Sequence, residues 1–198
     1  EELHILKPGI SWSNDGNKIV FSAKSGKSDA LFIANITNND VKKYEFDIEG
    51  IFRTVWSPDG EEIAFIGNDG QKSDIYIYNL KTDFLENITN DWFSDDQVSW
   101  SKDNKSLLFI SDRGDHFNTE RDIIINEHNV DQLDIYKISR KEKIVSRITN
   151  TSFNESYPLY TNNQNSIVYI SDEYGINNIN IKNMDTNETI PITNALTG

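Results

Sequence analysis

The segment that decides the fold is residues 55–67, VWSPDGEEIAFIG. It places Trp56 before the turn residues Pro58, Asp59 and Gly60, and an alternating apolar segment follows the turn. Asp and Gly adopt the backbone conformations that a tight turn requires, and alternation of apolar and polar residues is typical of β-strands. The segment therefore predicts a β-hairpin.

This hairpin is repeated along the chain. Trp12, Trp56 and Trp100 lie 44 residues apart, in SWSNDGNKIVFSA, VWSPDGEEIAFIG and SWSKDNKSLLFIS. A fourth copy, LYTNNQNSIVYIS, carries Tyr160 at the tryptophan position, 60 residues after Trp100. The 16 additional residues lie between residues 114 and 134. We interpret them as an insertion in the third repeat unit.

Each unit contains further strand segments after its hairpin. In the second unit, alternation predicts strands at residues 51–56, 62–66, 74–79 and 84–88, and no segment shows helical periodicity. Four strands in a period near 44 residues are typical of propeller blades. The sequence thus predicts an all-β fold, a β-propeller with four four-stranded blades at approximately 9–49, 50–92, 93–152 and 153–194. The repeated tryptophans are expected to pack between blades.

The ends of the sequence add an expectation about size. Residues 2–6 resemble the outer strand of a preceding blade, whereas residues 188–192 already supply the outer strand of the fourth. We therefore expect residues 1–198 to form one propeller segment that is part of a larger propeller.

The repeats resemble a known family. Trp-Ser-Pro-Asp-Gly at residues 56–60, Phe-Ile-Ser-Asp-Arg-Gly at 109–114 and the Asp-Ile-Tyr segments at 74–76 and 134–136 are similar to TolB-type, WD-like β-propeller repeats. The resemblance covers nearly the whole chain and implies the fold more strongly than a function. Such blades occur in periplasmic TolB, whose propeller binds proteins, in propeller domains of prolyl-oligopeptidase and tricorn-like peptidases, and in surface proteins.

Composition limits the partners. The net charge is −13 and the pI is about 4.6, which argues against nucleic acid and anionic membranes as ligands. No apolar segment approaches the roughly 20 residues that span a bilayer, so membrane insertion is not expected. We expect a protein partner or a cell-surface component, a periplasmic or extracellular location, a bacterial source and no cofactor.

In a propeller, the loops between second and third strands share a face with the connections between blades. The insertion at 115–133 and the blade connections at 92–96 and 153–155 therefore form one surface, called here the insertion-bearing face. Because loops on a rigid scaffold commonly carry function, this face is the expected binding surface. The residues expected to contact a partner are Trp92, Phe93, Asp95, His116, Glu120, His128 and Phe153.

Several alternatives remain for this face. The acidic and histidine residues of the insertion could ligate a metal, but no calcium-loop or zinc-type spacing occurs, so no metal site is predicted. The apolar residues 122–126 could contact a partner or be buried within the molecule. Trp92 and Phe93 could instead cover the end of a blade. Arg113 is expected to tie its loop to a neighbouring carboxylate.

The sequence predicts no catalytic site. Its histidines are His4, His116 and His128, and neither a Gly-x-Ser-x-Gly elbow nor a glycine-rich phosphate loop occurs. The favoured function is a non-catalytic binding or scaffolding module. The alternatives are the substrate-gating propeller of a prolyl-oligopeptidase or tricorn-like peptidase, and a lyase or hydrolase acting on polysaccharide.

Overall fold

The computed structural model describes residues 9–117 and 128–196, which form four antiparallel sheets of four strands. The strands of the first two sheets are β1 (Ile10–Trp12), β2 (Lys18–Ser25), β3 (Ser28–Asn35), β4 (Val41–Glu45), β5 (Gly50–Trp56), β6 (Glu62–Asn68), β7 (Ser73–Asn79) and β8 (Phe84–Asn87). The strands of the other two are β9 (Asp95–Trp100), β10 (Ser106–Ser111), β11 (Asp134–Ser139), β12 (Val145–Arg147), β13 (Glu155–Tyr160), β14 (Ser166–Ser171), β15 (Asn178–Asn183) and β16 (Thr189–Pro191). The predicted all-β fold is confirmed.

The strands of each sheet are hydrogen-bonded in sequence order, as in a meander. A 3₁₀ turn, Glu173–Gly175, lies between β14 and β15. Within the two described ranges there is no α-helix, and none of the helical structure there could cross a membrane.

The turn between the first and second strands of a sheet is formed by side chains of the repeat. In the second sheet, Ser57 Oγ donates to Asp59 Oδ1 at 2.7 Å, and Gly60 N donates to Ser57 O at 2.9 Å. Gly60 has a φ of +75°, a conformation that glycine adopts without steric cost. Asn104 takes the same position in the third sheet with a φ of +59°. Each such turn brings the next strand back antiparallel.

A threonine closes the outer end of three sheets. The backbone N of Ile75 donates to Thr89 Oγ1 at 3.0 Å, and the backbone N of Ile135 donates to Thr149 Oγ1 at 2.8 Å. The fourth sheet repeats this bond from Ile179 N to its own threonine at 2.8 Å. The Ile-Thr-Asn segments of the sequence are therefore structural closures.

The first strands of successive sheets lie side by side. Thr54 Oγ1 in β5 donates to Gly9 O at 2.7 Å, and Ser99 Oγ in β9 donates to Pro158 O in β13 at 2.6 Å. These bonds place β1, β5, β9 and β13 innermost, which is the arrangement of propeller blades around an axis.

Apolar side chains fill the space between successive sheets in three clusters. Trp56 packs between the first and second sheets with Val20 and Ile63, and Trp100 packs between the second and third. The side chains of Trp56 and Trp100 are 7% and 9% exposed. Packing between blades, predicted for the repeated tryptophans, is therefore confirmed at these two positions.

Trp12 is 57% exposed, unlike Trp56 and Trp100. It occupies the equivalent position on β1, in the first sheet. Within the described residues, no further sheet covers this face of the first blade. The described residues include no blade on that side of Trp12, so its inter-blade role stays a prediction.

Three sequence-based predictions lie outside the described residues. They concern the strand at residues 2–6, the partner contact of Glu120 and the apolar residues 122–126.

Candidate functional site

The structure brings the second-to-third-strand loops and the blade connections together, as expected for the insertion-bearing face. Ser73 Oγ, at the start of β7, donates to Asp95 O at the start of β9, with a distance of 2.9 Å. In the next pair of blades, Gln132 Nε2 donates to Phe153 O at 2.6 Å. The insertion therefore reaches the same face as the connection between the third and fourth sheets.

A buried arginine holds this face together. Arg113 is 1% exposed, and it donates from Nη1 to Asp91 Oδ2 at 2.8 Å and from Nη2 to Asp95 Oδ1 at 2.6 Å. Its Nε donates to Ser111 Oγ at 3.1 Å. The expected tie between Arg113 and a carboxylate is present, and it joins two carboxylates of the blade connection.

The electrostatics of this group are set by burial. Two carboxylates share one guanidinium, so ionisation of both would leave a net negative charge away from water. Burial raises the pKa of Asp95, although the positive charge of Arg113 acts in the opposite direction. Nearby carboxylates and their hydrogen bonds raise the pKa of Arg113 in spite of its burial. Removing one partner would leave the others buried without compensation.

Phe93 forms the base on which the two flanks of the insertion meet. Its ring stacks on the His116 ring at a centroid distance of 5.7 Å and meets the edge of His128 at 5.3 Å. His128 Nε2 lies 3.0 Å from Asp112 O and 3.3 Å from Asp112 Oδ2. Residues on both sides of the insertion are therefore fixed against the third blade.

Further bonds anchor the start of the insertion. Tyr136 Oη donates to Gly114 O at 2.7 Å, and Arg147 Nη1 donates to Asp115 Oδ1 at 2.7 Å. Tyr136 is fully buried in β11, and burial raises the pKa of its hydroxyl. The base of the insertion therefore sits on rigid strands.

The structure divides the residues predicted to contact a partner into two groups. Trp92 is 58% exposed and His116 is also exposed, whereas His128 and Phe153 are half-buried. These four stay candidates for contact.

Phe93 and Asp95 differ from the expectation, because they are 2% and 0% exposed. The guanidinium of Arg113 draws Asp95 inward, and the two histidine rings cover Phe93. These two residues therefore lie beneath the surface of the insertion-bearing face.

Sequence reasoning missed a second set of residues, the axial residues Arg53, Gln97 and Tyr157. All three lie at register shifts of the innermost strands, with φ values of +54°, +57° and +53°. Each stands three positions before the aromatic residue of its first strand, so the repeat spacing could have revealed their equivalence. Their left-handed backbone could not be predicted, because side-chain-bearing residues seldom adopt it.

The described residues contain no group of three or more His, Cys, Asp or Glu side chains arranged to hold a metal ion. In the same part of the chain, His128 contacts Asp112 and His116 contacts the Phe93 ring, and neither histidine is hydrogen-bonded to a serine hydroxyl. The arrangement offers anchoring and contact surfaces more readily than acid-base chemistry.

Comparison with known proteins gives one family match. The family described as the TolB β-propeller domain matches residues 3–119. The match confirms the resemblance inferred from the repeats. No curated protein sequence matches the chain.

Solved structures share the fold. TolB from Acinetobacter baumannii is similar with 21% identity and a TM-score of 0.72, over 94% of this chain and 43% of that one. A puromycin-hydrolyzing peptidase of Mycobacterium tuberculosis has 10% identity and a TM-score of 0.70, over 92% and 30%. A prolyl endopeptidase has 14% identity and a TM-score of 0.64, over 94% and 28%. The chain spans less than half the length of each, and similarity at these identities shows the fold alone.

Proposed function

We propose, since this chain belongs to the TolB β-propeller domain family, that it is a non-catalytic protein-binding or scaffolding module of a secreted or periplasmic bacterial protein. Its partner is a protein or a cell-surface component, and the contact is made by the insertion-bearing face. The observation that carries the proposal is the exposure of Trp92 directly beside the buried group of Phe93 and Arg113.

An exposed aromatic side chain on a rigid base has the properties of an interface anchor. Tryptophan is enriched among the residues that contribute most to binding. Because Arg113 and the ring contacts of Phe93 already hold the base, little conformational entropy remains to be lost there on binding. The exposed side chain of Phe117, 45% accessible, extends the apolar surface near His116.

The charge of the chain indicates the kind of partner. With a net charge of −13, the chain attracts cationic surfaces and repels acidic ones, so a cationic or neutral partner fits better than an acidic one. The periplasmic or extracellular location is supported by the resemblance to TolB.

The second candidate function is the propeller of a peptidase whose catalytic domain is a separate part of the polypeptide. The shared fold with the prolyl endopeptidase and the puromycin-hydrolyzing peptidase favours this alternative. In that case the propeller would restrict access of substrates to a catalytic serine, and its own residues would perform no chemistry.

The contact surface can be tested by placing the photo-crosslinker p-benzoylphenylalanine at position 92 or at position 144. Ile144 is a matched control, because it is 65% exposed and lies in the loop between β11 and β12 on the opposite face. In an envelope extract of the source cells, we expect a discrete cross-linked product from position 92. An excess of the Ile144→Ser variant without the photo-crosslinker should compete for the partner and suppress this product. The same excess of the Trp92→Ser variant should not suppress it. Equal products from both positions would contradict the proposal.

The peptidase alternative has a separate test. Antibodies raised against this chain would precipitate the native polypeptide, which is then treated with a fluorophosphonate, a reagent that labels serine hydrolases at the nucleophile. We expect no labelling of the precipitated polypeptide. Labelling would favour the peptidase propeller over the binding module.

A further inference from the structure

The innermost strands line a second site, an axial cavity of about 180 Å³ that is open to solvent and lies between β1, β5, β9 and β13. Its wall is mostly apolar, and the axial residues Arg53, Gln97 and Tyr157 supply polar groups. The apolar wall includes Val55, Val98, Pro158 and Leu159. Sites for small ligands typically combine an apolar wall with a few polar groups in this way.

Arg53 is held at the cavity by an ion pair with Asp96 and by the ring of Tyr157. Its Nε lies 3.4 Å from Asp96 Oδ1, and its guanidinium carbon lies 5.4 Å from the centroid of the Tyr157 ring. Among the described residues, the Nε is buried without a hydrogen-bond partner, although it lies within ion-pair distance of Asp96. An arginine carries five donors, and donors left unused beside an apolar wall are unfavourable.

The surroundings of Arg53 are fixed before any ligand arrives. The axial residues keep left-handed backbone conformations, which side-chain-bearing residues hold only where the structure around them enforces it. The side-chain oxygen of Gln97 accepts a hydrogen bond from Tyr157 N. In the first unit, Gly9 takes the equivalent position, where a Cβ would lie 2.3 Å from Thr54 N. The first unit therefore lies directly against the backbone of Arg53 and Thr54, and any side chain in place of Gly9 would clash there.

We propose that the axial cavity binds a carboxylate carried on an aliphatic group, as at the C-terminal Leu, Ile or Val of a peptide. The planar guanidinium of Arg53 matches a carboxylate with two parallel hydrogen bonds. The aliphatic group enters the cavity beside Val55 and Val98. The cavity is smaller than the roughly 300–1,000 Å³ clefts that bind drug-sized ligands, so it suits a single residue. This assignment does not depend on the partner of the insertion-bearing face.

The test is a titration of the ¹⁵N-labelled chain, followed by NMR, with N-acetyl-Ala-Ala-Leu as the free acid and as its C-terminal amide. We expect the free acid to shift the Nε–Hε signal of Arg53 and the amide signals of Gln97 and Tyr157. The C-terminal amide should bind at least about tenfold more weakly, because it removes the charge from those hydrogen bonds. Equal binding of acid and amide would overturn the proposal.

Two further probes identify the source of the carboxylate. Binding of 4-methylpentanoate alone, without the peptide, would support the site as one for free aliphatic acids. Binding of N-acetyl-Ala-Asp-Ala amide as tightly as the free-acid peptide would overturn the requirement for an aliphatic group beside the carboxylate.

Variants locate the site. Arg53→Gln should lose the shifts, whereas Lys105→Gln, which removes a charge from a side chain that is 83% exposed, should bind as the wild type does. Leu159→Trp is a second variant that narrows the cavity and leaves Arg53 in place, and it should also weaken binding. Dispersed spectra of the free variants establish that they fold. Retention of wild-type affinity by folded Arg53→Gln or by folded Leu159→Trp would refute the assignment.

Discussion

Replacement of Trp56 and Trp12 by alanine compares one repeat position in two environments. The Trp56 side chain is 7% exposed and packs with Val20 and Ile63 between the first two sheets, whereas Trp12 is 57% exposed. The two exposed fractions therefore differ by half of the accessible surface of a tryptophan. For a surface of roughly 200 Å², this difference is about 100 Å². At about 25 cal/mol per Å², that area corresponds to ~2.5 kcal/mol. Trp56→Ala also leaves a cavity, so the difference in unfolding free energy should be at least this large.

The assay is urea unfolding at 25 °C followed by far-UV circular dichroism, because tryptophan fluorescence would change with the substitution itself. Similar slopes for both variants would allow the midpoints to be compared as stabilities. Trp100→Ala, which removes a side chain that is 9% exposed, should behave like Trp56→Ala. Equal losses for Trp12→Ala and Trp56→Ala would refute the reasoning. They would mean that another surface covers Trp12 in solution, and a dependence on protein concentration would identify that surface as a second copy.

Two further predictions concern charges. Burial raises the pKa of Glu155 to about 7, so the folded protein binds a proton that the unfolded chain releases, and stability falls as pH rises from about 4.5 through 7. The stability of Glu155→Gln relative to the wild type should therefore increase by up to about 3 kcal/mol from pH 5 to pH 8, measured by thermal melts. A relative stability that increased toward low pH would contradict this. Arg140 forms an ion pair with Glu62 across two blades at 2.9 Å. The Arg140→Ala variant should therefore have a free energy of unfolding that is about 1 kcal/mol lower, measured by urea unfolding at low salt. Exposed Lys81 is the control, and Lys81→Ala should change little.

The repeat made the strands predictable. The second unit was expected to have strands at 51–56, 62–66, 74–79 and 84–88, and the structure has Gly50–Trp56, Glu62–Asn68, Ser73–Asn79 and Phe84–Asn87. Turn residues and alternation are local properties, so they locate a strand to within two residues.

The environment of individual side chains was less predictable, because it depends on residues far apart in sequence. Asp95 is buried because Arg113 reaches it from the loop that follows β10, and a sequence of polar loop residues contains no sign of that pairing. Trp12 and Trp56 stand in the same motif, yet a neighbouring sheet covers only Trp56 among the described residues. The left-handed backbone of Arg53 has no local cause such as glycine, and it arises from the register shift between β5 and β6.

Polar residues at the same position in several blades show which side chains serve the fold. Asp74, Asp134 and Asn178 lie at or next to the start of the third strand of their sheets, and each accepts a backbone hydrogen bond from the residue 17 positions later, at 3.3, 3.4 and 2.7 Å. Since a residue with an equivalent hydrogen bond in several blades serves the fold, Asp74 and Asp134 need no ligand to explain them. Binding is better sought where the repeat is broken. Trp92 is a tryptophan outside the repeat phase, and Arg53 is an arginine where the other units have Gly9, Gln97 and Tyr157, so these two positions are where the units diverge chemically.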